Sequence, residues 1–218
     1  MRSHRHPLLL TLGLIVATVG CATLPAPPAA QVPLDAAEDR ALLACQGTMT
    51  RASTKLVGTA LRKLDRCAGR AIALRLEEDR RLNSQTIAEF VARRALVLER
   101  CNADFARIGA ASTRMVDAVV AACAPVEDLL LLDDSRGDPL SFRTLSDVLG
   151  ALGYANLQFA GVPELAGLLC GADLAAAREA LALHLPRVSD VARSYLGFDM
   201  DELGEHLHGF ADPRCKEI

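Results

Sequence analysis

Apolar residues recur at helical spacing through two long stretches of the chain. Met49, Leu56, Ala60 and Leu64 mark the first, and Phe105, Ile108, Met115 and Val119 the second. Their intervals of three, four and seven line one face of an α-helix. The pattern predicts a helical arm over 36–81 and a returning arm over 87–124. Between them Asn83-Ser84 is a turn signal. Thr86-Ile87-Ala88-Glu89 reads as a capping box, in which a Thr hydroxyl and a Glu three residues on satisfy backbone amides that a helix start leaves open. Pro125 ends the second arm. Beyond it the elements are shorter. Asp133-Asp134-Ser135-Arg136-Gly137-Asp138-Pro139 is an acidic turn before a helix from about Leu145 to Leu152. Val162-Pro163-Glu164 starts another, with Pro at the first helical position, that runs to Leu169 or Cys170. Asp173 is placed to cap a helix through His184, Pro186 interrupts, and Ser189 to Leu196 continues. The tail 197–218 is short-helical or irregular.

Composition agrees with an all-α fold. Of 218 residues 51% are hydrophobic but only 4% aromatic, with no Trp, so Ala and Leu supply much of the apolar content. Both are strong helix formers, which argues against an all-β fold.

The cysteines sharpen the architecture. Cys45, Cys67, Cys101, Cys123, Cys170 and Cys215 form an even set once Cys21 is set aside, and six cysteines allow fifteen connectivities. Cys45 and Cys123 are symmetric about residue 84, as are Cys67 and Cys101, and residue 84 is the predicted turn. Each arm carries its two cysteines 22 residues apart, about six turns and 40°, so both lie near one helix face. An antiparallel hairpin then pairs Cys45 with Cys123 and Cys67 with Cys101. Cys170 and Cys215 are joined by elimination. Disulfides draw Cα atoms to about 5.5–6 Å, closer than usual helix packing, so small neighbours are expected at Ala44, Ala68, Gly69, Ala122 and Ala124. No pair has the close spacing of a zinc site or of haem attachment.

The start of the chain reads as an export signal. A basic Met1-Arg2-Ser3-His4-Arg5-His6 precedes fourteen residues from Pro7 to Gly20 that are mostly apolar, short of the roughly 20 that span a bilayer. The segment closes Thr18-Val19-Gly20-Cys21, which resembles the lipobox of bacterial lipoproteins, departing from it at Thr18, where Leu is usual. The resemblance implies diacylation of Cys21, anchoring to a bacterial membrane and, with Ala22 next, sorting to the outer membrane. The paired-cysteine pattern resembles twin cysteine-pair helical hairpins of secreted and intermembrane-space proteins, with far longer spacing. The stretch from Cys45 to Cys67 is similar to cysteine-bounded segments of bacterial surface proteins without established activity. Neither likeness imports a mechanism. Residues 22–34 hold four of the ten prolines and no charge, an extended tether of about 3.1 Å per residue. The expected organisation is a signal peptide over 1–20, lipidated Cys21 and tether over 21–39, the stapled hairpin over 40–124 and a helical cap over 125–218.

Charge divides the chain. Residues 40–123 carry fifteen Lys and Arg against eight Asp and Glu, and 124–218 carry seven against sixteen. The halves can therefore attract each other. The same imbalance offers a basic stripe at Arg62, Lys63, Arg66, Arg70, Arg75, Arg80 and Arg81 for an anionic envelope polymer or an acidic envelope protein. Nucleic acid is disfavoured by the export signal and by the lack of aromatic stacking residues.

Chemistry is harder to find. There is no G-x-S-x-G and no S-x-x-K. On a helix, His206 and His208 would diverge by about 200°, which prevents joint metal ligation unless the segment is extended. Asp199-Met200-Asp201-Glu202-Leu203-Gly204 begins like a calcium loop but has Leu203 at position five and Phe210 at position twelve. Arg136-Gly137-Asp138 is a turn before Pro139. The expectation is a cell-envelope lipoprotein that binds or scaffolds, with no catalytic residues, no metal and no cofactor. The alternative is an envelope enzyme whose dispersed site lies near His184, His206 and the acids at Asp199, Asp201, Glu202 and Glu205.

Overall fold

The two apolar stripes become two antiparallel helices, α1 (Ala36–Arg81) and α2 (Ile87–Cys123). They stand in a computed structural model that describes residues 36–81, 86–130, 160–185, 188–196 and 209–215, all within one compact unit, Val32–Ile218. The signal and tether segments with Cys21, the turn at Asn83-Ser84, the 145–152 helix, His206 and the acidic cluster lie outside the described residues. Helix α2 starts where its capping box predicts. The Thr86 hydroxyl accepts from the Glu89 amide at 3.3 Å, and the Glu89 carboxylate accepts from the Thr86 amide at 3.1 Å. At its other end Pro125 turns the chain into a 3-10 segment, Ala124–Val126, followed by the one-turn α3 (Glu127–Leu130). Among the described residues there is no strand.

Both predicted rungs of the hairpin form. Cys45 and Cys123 are bonded with Cα atoms 4.7 Å apart, and Cys67 and Cys101 with theirs 5.1 Å apart. The small residues that permit this approach are not all those expected. Ala68 is buried, but Gly69 faces open space and Ala44 and Ala124 are exposed. Ala60, Ala71 and Ala111 are buried small residues of the two arms instead, in one core with Leu56, Leu64, Phe105, Ile108 and Met115. In a chain-entropy account a closed loop of 34 residues, that of Cys67–Cys101, disfavours the unfolded state by about 4 kcal/mol. Closing the outer rung over it adds a loop of similar effective length.

Helix α4 (Val162–His184) packs against both arms, and α5 (Val188–Tyr195) packs against α1. Here the sequence reading needs correction. The expected break between Cys170 and Asp173 is absent, and the helix runs unbroken for 23 residues. Asp173 lies in its interior and accepts a hydrogen bond from Ser53 of α1. The reason is tertiary: Leu165, Leu168, Leu174, Ala177 and Leu181 continue one buried face through the cap-like aspartate, and packing overrides the local preference of Asp for a helix start.

The last described segment, 209–215, is bound to this core. Cys170 and Cys215 are bonded with Cα atoms 5.2 Å apart. Phe210 packs on Phe105 with ring centroids 5.8 Å apart. The Ser112 hydroxyl donates to the Gly109 carbonyl at 2.7 Å and accepts from the Asp212 amide at 2.8 Å. Arg214 closes the segment with hydrogen bonds to Asp212 and an ion pair to Asp117 at 2.7 Å. That pair runs against the charge balance read from the sequence, since its cation comes from the acidic half and its anion from the basic half.

Candidate functional site

At about 100° per residue the seven cations of the basic stripe cannot share one face of α1, and the structure separates them. Lys63 and Arg70 turn inward to Asp104 of α2. Lys63 Nζ lies 3.1 Å from one carboxylate oxygen, Arg70 Nη1 2.7 Å from the other, and Arg107 adds a contact at 3.1 Å. Asp104 is 1% exposed. Burial alone pushes its carboxyl upward, but hydrogen bonds from Arg70 and Lys63 outweigh that and hold it below the usual carboxylate value,.

Arg75 is committed elsewhere. Its guanidinium donates to the Tyr195 hydroxyl at 3.0 Å, lies 5.9 Å from the centre of that ring and pairs with Asp79 at 3.3 Å. The Tyr195 hydroxyl donates to Glu78, and its backbone carbonyl accepts from Arg94 at 3.0 Å. Phe90 meets the same ring edge-on at 6.1 Å. Tyr195 thus anchors α5 to the hairpin, and burial together with Glu78 raises its hydroxyl pKa. Arg80 and Arg81 close α1, and their side chains lie outside the described part.

Arg62 and Arg66 remain. Both are exposed, and among the described residues neither pairs with a carboxylate; Arg62 donates only to Thr59, at 3.4 Å. Counted from Arg51, Lys55 falls at about 40°, Arg62 at about 20° and Arg66 at about 60°, whereas Arg70 falls at about 100° and Lys63 at about 120°. Arg51 and Lys55 are likewise exposed and without a carboxylate partner among the described residues. Four cations therefore stand within about 60° of arc on α1. The stripe read from the sequence takes in only Arg62 and Arg66 of this ladder, because nearness in sequence is not nearness on a helix.

Of the remaining candidates, His184 is exposed at the last residue of α4, and His206 with its acidic neighbours lies outside the described residues. The six paired cysteines are disulfide-bonded and offer no thiolate. Among the described residues no three His, Cys, Asp or Glu come together as a metal site, and no helix is long and apolar enough to cross a membrane.

Sequence reasoning overlooked three residues that the fold depends on. Asp104 sits at the same register as buried Cys101, Phe105 and Ile108, so an acid in that position, opposite a basic arm, was the available signal. Gly109 and Ser112 carried no local signal, because their partner segment lies 100 residues on. Compared with known protein families, curated proteins and solved structures, the chain finds no match.

Proposed function

We propose that this protein is a non-catalytic binding or scaffold module of the bacterial cell envelope, held at a membrane through lipid on Cys21 and presenting the hairpin on its Pro-rich tether. The observation that carries the reading is the ladder of Arg51, Lys55, Arg62 and Arg66. These cations lack carboxylate partners among the described residues, while their neighbours Lys63 and Arg70 are bound to Asp104. A helix crosslinked to its partner presents such a row at fixed spacing, which favours a repeating anionic polymer or an acidic protein face and speeds encounter through long-range attraction. Support for the anchor comes from Thr18-Val19-Gly20-Cys21 and the oxidising compartment that three disulfides imply,.

In-cell crosslinking of the full chain in its native envelope, followed by mass spectrometry, tests this. The reading expects an acidic partner recovered in the membrane fraction and lost on double charge reversal, Arg62→Glu with Arg66→Glu. Both side chains are exposed, so the fold survives the change, which reversal at Arg70 or Arg75 would not allow. Recovery of the same partner with the reversed ladder, or of the chain free in the soluble fraction, refutes the reading.

A further inference from the structure

The end of the ladder nearer the Cys45–Cys123 rung is not flat. Between α1 and α2 lies a hollow of about 240 Å³, floored by Leu56 and Met115 and rimmed by Arg51, Lys55 and Arg114. Three features give it a chemical preference. Its floor is apolar, and alanines at 52, 111 and 118 keep it open. The rim holds three cations, one of them from the opposite arm, and no carboxylate lines it. Arg51 is held over the cleft by a hydrogen bond to Thr48 at 3.3 Å, and neither Lys55 nor Arg114 pairs with an acid among the described residues. The volume lies below the usual size of a drug-like site,. It suits one headgroup and a short stem.

We propose that this hollow is a binding site for a phosphate-bearing amphiphile, its phosphate held by Arg51, Lys55 and Arg114 and its short apolar stem lying on Leu56 and Met115. A phosphate offers enough oxygens to engage three cations from two helices at once, and arginine forks match it in a bidentate manner that a lone carboxylate satisfies only for one of them. The apolar floor distinguishes an organic phosphate from the inorganic ion. The inference rests on the reading of this cationic face as a contact surface. The two fail separately, because Arg62 and Arg66 report on macromolecular capture and Lys55 and Arg114 on the small ligand.

The test is calorimetric titration of the full chain, disulfides intact, at low ionic strength with phenyl phosphate and with inorganic phosphate. A parallel assay measures binding to vesicles of phosphatidylglycerol or phosphatidylcholine. Phenyl phosphate should bind more tightly than inorganic phosphate and shift the methyl resonance of Met115. Lys55→Ala and Arg114→Ala should each weaken it about fivefold or more, the two together by the product. Arg100→Ala removes an equal charge eleven residues from the hollow and should leave affinity intact. Preference for phosphatidylglycerol assigns the phosphate to a lipid headgroup. Phenyl phosphate binding without that preference assigns it to a soluble phosphoester. Absence of phenyl phosphate binding, equal affinity for inorganic phosphate, or equal loss in Arg100→Ala overturns the site.

Discussion

Gly69 and Gly109 make a matched pair for testing how the tail is held. Both lie inside long helices, α1 and α2. From helix propensity alone, Gly→Ala at either position should stabilise the protein by about 0.8–1 kcal/mol. The surroundings decide otherwise at one of them. A Cβ on Gly69 meets nothing within 4 Å, whereas a Cβ on Gly109 stands 1.9 Å from the Phe210 carbonyl oxygen and 2.9 Å from its carbon. Those are backbone atoms, so no side-chain rotation relieves the clash, and the 209–215 segment must withdraw by about 1.5 Å to reach an ordinary contact. Withdrawal strains the 2.8 Å hydrogen bond from the Asp212 amide to Ser112 and the packing of Phe210 on Phe105. The Cys170–Cys215 bond keeps the segment from leaving altogether. Overpacking of this kind costs about 1–3 kcal/mol, and a lost hydrogen bond about 1 kcal/mol more. After the propensity gain, Gly109→Ala should lose about 1–3 kcal/mol. Urea unfolding followed by circular dichroism, with disulfides intact, gives both signs in one series. Gly69→Ala should raise the midpoint and Gly109→Ala should lower it. A midpoint for Gly109→Ala at or above the parent value would refute the docking of the tail on α2.

Two titratable groups give further predictions. Asp104→Asn keeps the volume but removes the charge that Lys63 and Arg70 face; because both cations retain some water contact, the loss should be on the order of 2 kcal/mol rather than the larger figure for a fully buried pair. Its folded pKa lies below the ordinary 3.8, so the wild-type contribution is complete above that value and disappears as pH falls through the folded pKa; unfolding midpoints should converge between wild type and variant in acid and diverge near neutrality. Asp173 behaves oppositely. Burial raises its carboxyl to about 6 against an opposing hydrogen bond from Ser53, and its second oxygen has no hydrogen-bond partner. Between 3.8 and about 6 the folded protein holds a proton that the unfolded chain has lost, so stability falls as pH rises through that window. Asp173→Asn should flatten this slope and raise the urea midpoint above pH 6. An unchanged slope would show that Asp173 ionises without penalty.

The sequence by itself determined the helical hairpin and its staples. Periodicity fixed which face of each arm is apolar. A 22-residue spacing put both cysteines of an arm near that face, and symmetry about the turn left one antiparallel register. These are local properties, carried by helix geometry over consecutive residues. The tertiary structure decided what depends on distant neighbours. Asp173 was read as a helix cap because its local preference is real, and the buried apolar face of Val162–His184 overrode it. Lys63 and Arg70 were read with Arg62 and Arg66 because they are adjacent in sequence, and only the facing arm, with Asp104, separated those bound in the fold from those left to solvent. Gly109 acquires its role from Phe210, a residue 101 positions away. The same holds for the cationic hollow, since Arg51 and Lys55 belong to one arm and Arg114 to the other. Its three charges become neighbours only when the hairpin closes, and no pattern within either helix records that they will.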